Sequence, residues 1–163
     1  MKTSGVIEVS RDIEIVFEFV SSPRRLYGNA NSMFRFTEGE RQLGVGSVFT
    51  AELHVGPIKS AMEYKITDYY RPVRIEWEMS YPQPARKGLW RVVTLGRKTP
   101  ETPKTREAFE LKSSVAGTNL TRSFDYSLSL VGLIPILNGP LGGRLMRRDL
   151  RKLKERIEAE TEP

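Results

Sequence analysis

From Phe34 to Tyr81, and again from Glu107 to Leu130, the apolar residues recur with a period of two, and one long helical pattern follows. In "SVFTAELHV", Phe49, Ala51, Leu53 and Val55 fall on one face. In "IKSAMEYKITDYY", Ile58, Met62, Tyr64 and Ile66 do the same. "VRIEWEMSY" sets Val73, Ile75, Trp77, Met79 and Tyr81 against Arg74, Glu76, Glu78 and Ser80. "EAFELKS" pairs Phe109 with Leu111, and "LTRSFDYSLSL" aligns Leu120, Phe124, Tyr126, Leu128 and Leu130. Side chains alternate between the faces of a strand, so each segment has one apolar face to cover. An antiparallel sheet with one bare apolar face needs a second layer.

The sequence offers one long element for that layer. After Gly139–Pro140, the residues Leu141, Leu145, Leu150, Leu153 and Ile157 form a stripe at helical spacing, with Met146 beside it. Arg147, Arg148, Arg151, Lys154 and Glu155 occupy the other faces. This predicts an amphipathic helix over about 140–159. Before the strands, "GVIEVS" reads as a first strand. Ser10 or Asp12 can cap a helix carrying Ile13, Val16, Phe17 and Val20. Ser22 and Pro23 then start a short second helix ending near Gly28. The expected fold is α+β: a curved antiparallel sheet of about six to seven strands wrapped around the C-terminal helix, with two short helices after the first strand. The chain's 163 residues suit one domain spanning 1–163.

Charge is concentrated. Pro82 to Arg106 holds seven basic residues against Glu101, and Arg144 to Arg156 holds seven against Asp149 and Glu155. The formal net charge is +6, so the remainder of the chain is acidic. The segment 82–106 carries four prolines and reads as a long basic loop, within which "LWRVVTL" can form a short strand. Solvated surface is the ordinary account of such runs; an anionic surface is the functional one. With no cysteines, disulfides, thiolate metal sites and thiol catalysis are excluded. No continuous apolar stretch approaches the ~20 residues of a spanning helix. "LVGLIPIL" is short and contains Pro135, so a membrane anchor is not expected and a cytoplasmic location is the simpler expectation.

The segments "IEVSRDIEIVFEFVSSPRRLYGN", "VAGTNLTRSFDY" and "GGRLMRRDLRKLKERIE", in this order around the alternating strands, resemble the SRPBCC superfamily of START and Bet v 1-like proteins. Within it they are similar to the polyketide cyclase/dehydrase-type branch. The resemblance implies a helix-grip fold with a cavity between sheet and helix that holds an apolar or amphipathic small molecule. It implies no shared catalytic motif. The 82–106 segment is longer than the usual hairpin of such proteins.

The candidate cavity residues are Leu53, Met62, Tyr64, Trp77, Met79, Phe109, Arg122, Phe124 and Tyr126 from the sheet, facing Leu141, Leu145 and Met146 from the helix. Core packing alone also accounts for most of them. Arg122 shares the apolar face by strict alternation, where a lone charge is costly. It can hold a ligand carboxylate or polarise a carbonyl, or reach solvent, or pair with Glu110. Tyr64, Tyr81 and Tyr126 can donate hydrogen bonds to a ligand oxygen. His54, the one histidine, falls on the outer face. Acidic residues alternate mostly outward, so no inward pair of carboxylates is expected. No metal cluster, phosphate-binding glycine loop or nucleophile elbow is seen, and no cofactor is expected.

The leading expectation is therefore binding or transport of a hydrophobic small molecule. An enzyme of the cyclase or aromatase kind, using Arg122 with Tyr64 or Tyr126, is the alternative. A third is an interaction module for anionic membrane or nucleic acid. Among partners, peripheral membrane contact is favoured over nucleic acid.

Overall fold

A computed structural model of the chain describes residues 2–27, 34–36, 43–55, 58–80, 104–126 and 140–160. At 34–36, 53–55, 58–60, 126 and 140–142 the description is of backbone alone. The elements run β1 (Lys2–Val9), α1 (Ile13–Val20), α2 (Pro23–Tyr27), β2 (Phe34–Phe36), β3 (Val48–Val55), β4 (Ile58–Tyr70), β5 (Arg74–Ser80), β6 (Lys104–Ser114), β7 (Gly117–Tyr126) and α3 (Pro140–Ala159). The seven strands form one sheet in the order β1-β7-β6-β5-β4-β3-β2, every neighbouring pair antiparallel. The sheet is curved, and with the C-terminal helix it makes the α+β helix-grip arrangement.

The inner face is the apolar one predicted by alternation. Phe49 and Ala51, Met62, Tyr64 and Ile66, Ile75, Trp77 and Met79, and Phe109 and Leu111 are all buried. Val73 is an exception: it lies in the turn between β4 and β5 and is exposed. The outer face is laced by charge. Arg74 of β5 bonds Asp68 at 2.6 Å, Glu76 at 2.8 Å, and also Glu110 of β6. Lys104 and Arg106 were assigned to the basic loop by composition. They belong to β6 and pair with Glu78 of β5 at 2.7 and 3.5 Å. Exposed pairs of this kind add little stability singly, and their role is to keep the outer face solvated. The rest of the 82–106 segment lies outside the described residues through position 103.

Helix starts follow their sequence signals. The Asp12 carboxylate accepts from the Glu14 N–H at the cap of α1, and Ser22 Oγ accepts from the Arg25 N–H one turn into α2. Pro23 takes the first helical position, where its missing N–H costs nothing.

Helix α3 buries Met146, Leu150, Leu153 and Ile157, a stripe spaced by four, three and four residues. Leu145, placed on the inner face by sequence, is instead 38% exposed. At about 100° per residue, Met146 continues the line of Leu150, and Leu145 falls beside it. The helix crosses β1 at Gly5, where a Cβ would lie 2.7 Å from Leu150 Cδ1 and 2.8 Å from Met146 Cγ. The absence of a side chain at Gly5 is what lets the helix come down onto the sheet edge. At its other end, Arg156 donates to the carbonyls of Arg25 and Leu26 and lies over the Phe19 ring. Arg11 donates to the carbonyls of Glu158 and Glu160. The C-terminal half of α3 is thus tied to α1, α2 and their connections. Among the described residues no helix is long and apolar enough to cross a membrane.

Candidate functional site

Two rows of paired residues cross the sheet from β1, where α3 comes down onto it. One runs Gly5, Arg122, Phe109, Ile75 and Tyr69 over β1, β7, β6, β5 and β4. The next runs Thr3, Phe124, Glu107, Trp77 and Ile66 over the same strands. Arg122 and Glu107 are therefore diagonal neighbours on one inner face, within reach of long side chains. Arg122 Nε donates to Glu107 Oε1 at 2.6 Å. Glu107 is fully buried, and the Arg122 side chain is 10% exposed.

The guanidinium of Arg122 lies 4.7 Å from the centroid of Phe124 and 5.5 Å from that of Phe109. Aromatic faces carry a negative quadrupole and suit a desolvated cation. The second carboxylate oxygen of Glu107 accepts from the hydroxyl of Tyr27, at the end of α2. Tyr27 also lies against Tyr64, with ring centroids 5.9 Å apart. The cluster thus joins β6, β7 and α2, and its members are far apart in sequence.

The wall around the cluster is aromatic and sulfur-rich. Trp77 is the direct cross-strand partner of Glu107, and its ring meets Phe49 edge-on at 6.2 Å. Met79 pairs across with Tyr64, and Met62 with Ala51. The indole Nε1 of Trp77 is buried and has no hydrogen-bond partner among the described residues. Buried donors almost always find one, and an orphan of this kind calls for an explanation.

Burial pushes the Glu107 carboxyl above its ordinary range, against the opposing charge and hydrogen bond of Arg122; the Asp149 carboxylate on α3 adds a smaller upward push. Taking a carboxylate out of water disfavours its charged form, and here that outweighs the attraction of its partner. A raised folded-state value means that the folded chain holds the proton more tightly than the unfolded chain. The contribution is fully present below the unfolded carboxyl value, about 4.3, and is lost as pH rises through the folded value. Glu107→Gln abolishes this titration. The stability of the native chain relative to Glu107→Gln is expected to fall as pH rises from about 4 toward neutrality. Urea midpoints of both chains across that range check the sign, and parallel profiles would contradict it.

The sequence-predicted residues divide as follows. Met62, Tyr64, Trp77, Met79, Phe109 and Arg122 are buried on the inner face, with Phe124 half-buried beside them and Met146 above Gly5. Leu145 is not part of this set. The side chains of Leu53, Tyr126 and Leu141 lie outside the described ones, as does that of His54, and Tyr81 lies outside the described residues. Of the alternatives for Arg122, pairing with Glu110 is overturned: Glu110 faces the other way, to Arg74, and Arg122 takes Glu107. Glu107 is the exception to the mostly outward run of acidic residues. Glu107 shares the parity of Phe109 and Leu111, and that parity was the available signal. Tyr27 had no local signal, because its partner is 80 residues away. No group of three metal-ligating side chains comes together among the described residues.

No protein-family model and no curated protein sequence matches the chain. Solved structures do match its fold. Protein CV1439 of Chromobacterium violaceum has a TM-score of 0.62 at 14% identity, over 98% of this chain and 99% of that one. Protein Ms6760 of Mycobacterium smegmatis has a TM-score of 0.60 at 15% identity, over 97% and 88%. A conserved protein of Geobacillus kaustophilus has a TM-score of 0.59 at 15% identity, over 96% and 95%. These likenesses extend along nearly the whole chain and establish a shared architecture.

Proposed function

We propose that the chain binds and carries a hydrophobic small molecule, of lipid, quinone or polyketide-like character, between the inner face of the sheet and α3. The observation that carries this reading is a polar cluster set inside an otherwise apolar interior. A core built for stability alone gains little from a buried ion pair, and similar-sized apolar residues often serve as well or better. Ligand sites, in contrast, are mostly apolar with a few placed polar groups. Membership of the SRPBCC superfamily, in its polyketide cyclase/dehydrase-type branch, belongs to the same proposal, as does a cytoplasmic location. A cyclase of the kind considered above would use Arg122 with Tyr64 or Tyr126, and the Nε of that arginine is held by Glu107. Titration with Nile red, a neutral solvatochromic dye, tests the binding reading. A saturable blue-shifted emission with one dye per chain is the expected result, and no emission change at any dye concentration contradicts it.

Helix α3 carries a second feature. Arg144, Arg147, Arg148, Arg151 and Lys152 are exposed, and none has an ion-pair partner among the described residues. Arg144, Arg148 and Arg151 follow one another at helical spacing on the side opposite the buried stripe. This stripe suits a bilayer of anionic lipid, from which a carrier could take an apolar cargo. Each basic residue near such a surface adds about 1 kcal/mol, so replacing these three arginines by glutamine should weaken binding roughly 100-fold. Sedimentation with phosphatidylserine-containing vesicles at low salt checks this. Equal binding to pure phosphatidylcholine vesicles, or preference for DNA over both, contradicts it.

A further inference from the structure

Resting on the binding reading above, the hydrogen-bond inventory of the buried cluster says what kind of polar group the ligand brings. Both Glu107 oxygens already accept, one from Arg122 Nε and one from the Tyr27 hydroxyl. Two sets of donors are left over. The Trp77 indole N–H has no partner among the described residues, in a residue only 1% exposed. The two terminal nitrogens of Arg122 make no hydrogen bond among the described residues, although the side chain is nine-tenths buried. Trp77 and Arg122 lie on either side of Glu107, one as its direct partner on β5 and the other diagonally on β7. The cluster is therefore rich in unused donors, and its acceptor oxygens are occupied.

Its charge is balanced as well. The Arg122 cation has its counter-ion in Glu107, and the Phe109 and Phe124 rings lie against it. A ligand carboxylate would bring a second negative charge beside Glu107, and Asp149 of α3 already acts on that carboxylate in the same sense. Like charges in a low-dielectric interior are strongly disfavoured. A neutral acceptor meets no such opposition, and it satisfies the Trp77 N–H, which is otherwise desolvated and without a partner among the described residues.

We propose that Trp77 and Arg122 form a donor site for a neutral carbonyl oxygen, so that the preferred ligands are apolar ketones, quinones or esters and not fatty-acid anions. In this role the indole of Trp77 sets specificity, and the apolar wall supplies the bulk of the affinity.

Three probes of matched shape test this by competition against Nile red: 2-acetylnaphthalene, 2-ethylnaphthalene and 2-naphthoate. The native chain should bind the ketone roughly 5- to 30-fold more tightly than the ethyl compound. Naphthoate should bind most weakly. Trp77→Phe keeps an aromatic ring and removes the N–H together with the second ring. It should erase most of the ketone preference, read within the variant as the ratio of its affinities for 2-acetylnaphthalene and 2-ethylnaphthalene. A measurement on the native chain guards against misfolding of that variant. The indole N–H resonance of Trp77, told apart from that of Trp90 by a Trp90→Phe chain, should move downfield with the ketone and not with the ethyl compound. Tightest binding by naphthoate, or no ketone preference and no indole shift, overturns the donor-site assignment and leaves the carrier reading standing. Failure of Nile red and all three probes to bind overturns both.

Discussion

Arg122→Leu is expected to destabilise the fold by about 3–5 kcal/mol, because it leaves a buried carboxyl without its counter-ion. Glu107 is fully buried, and its remaining described partner would be the Tyr27 hydroxyl. Leucine restores apolar volume at position 122, so the loss reads the stranded charge more than a cavity. Two controls separate these contributions. The double replacement Arg122→Leu with Glu107→Leu removes both charges and should recover most of the loss. In the single variant the penalty should also shrink as pH is lowered, because protonation of Glu107 removes the stranded charge, and burial already favours that form. Urea denaturation at neutral and acid pH measures both effects. A single variant as stable as the native chain at neutral pH would mean that the pair is not held together as described.

Gly117→Ala is expected to cost about 3–5 kcal/mol, for reasons that involve no charge. Gly117 opens β7 just after the hairpin turn, with φ at +140°, a backbone conformation that L residues rarely adopt. Such strain costs about 1–3 kcal/mol. A Cβ there would also stand 2.2 Å from the Val9 carbonyl oxygen and 2.9 Å from the Arg11 nitrogen. Both are backbone atoms, so no side chain can rotate aside, and overpacking of this kind adds about 1–3 kcal/mol. The segment under pressure is the end of β1, which Thr118 also holds through its bond to the Arg11 carbonyl at 2.9 Å. Displacing it would disturb the start of α1. Thermal unfolding of the variant measures the loss, and Gly44→Ala, where nothing among the described residues lies within 4 Å of the new Cβ, is the matched control.

Much of this architecture is legible in the sequence, because strand and helix periods differ. Alternation in β3, β4 and β5 identified the buried set from Phe49 to Met79, apart from Val73, whose position in the turn broke the pattern. The bounds of α3 followed from Pro140 and from the end of the apolar stripe near Ile157. The error at Leu145 came from counting apolar residues where angle decides. Met146 lies on the line of Leu150, and Leu145 lies about 100° away.

The cluster itself was only half legible. Arg122 stood out, since a charge among Leu120 and Phe124 demands a partner. Its partner is harder to see, because most acidic residues of the strands alternate outward and Glu107 is an exception with the parity of Phe109. Register decides the matter: it sets Glu107 opposite Trp77 and Phe124, and register cannot be read from one strand alone. Tyr27 depends on how α2 is folded back across the sheet, a long-range arrangement with no trace in its neighbours. The unpartnered Trp77 N–H is likewise a property of the packed interior. A sequence shows that a donor exists and leaves open whether it is satisfied.

Native mass spectrometry of the purified chain tests the central claim most directly. The account predicts a population one small neutral molecule heavier than the 18.6 kDa chain, whose extract contains an apolar carbonyl compound, or an empty chain that takes up 2-acetylnaphthalene in one-to-one ratio. A chain of bare mass that accepts neither the ketone nor Nile red would contradict it.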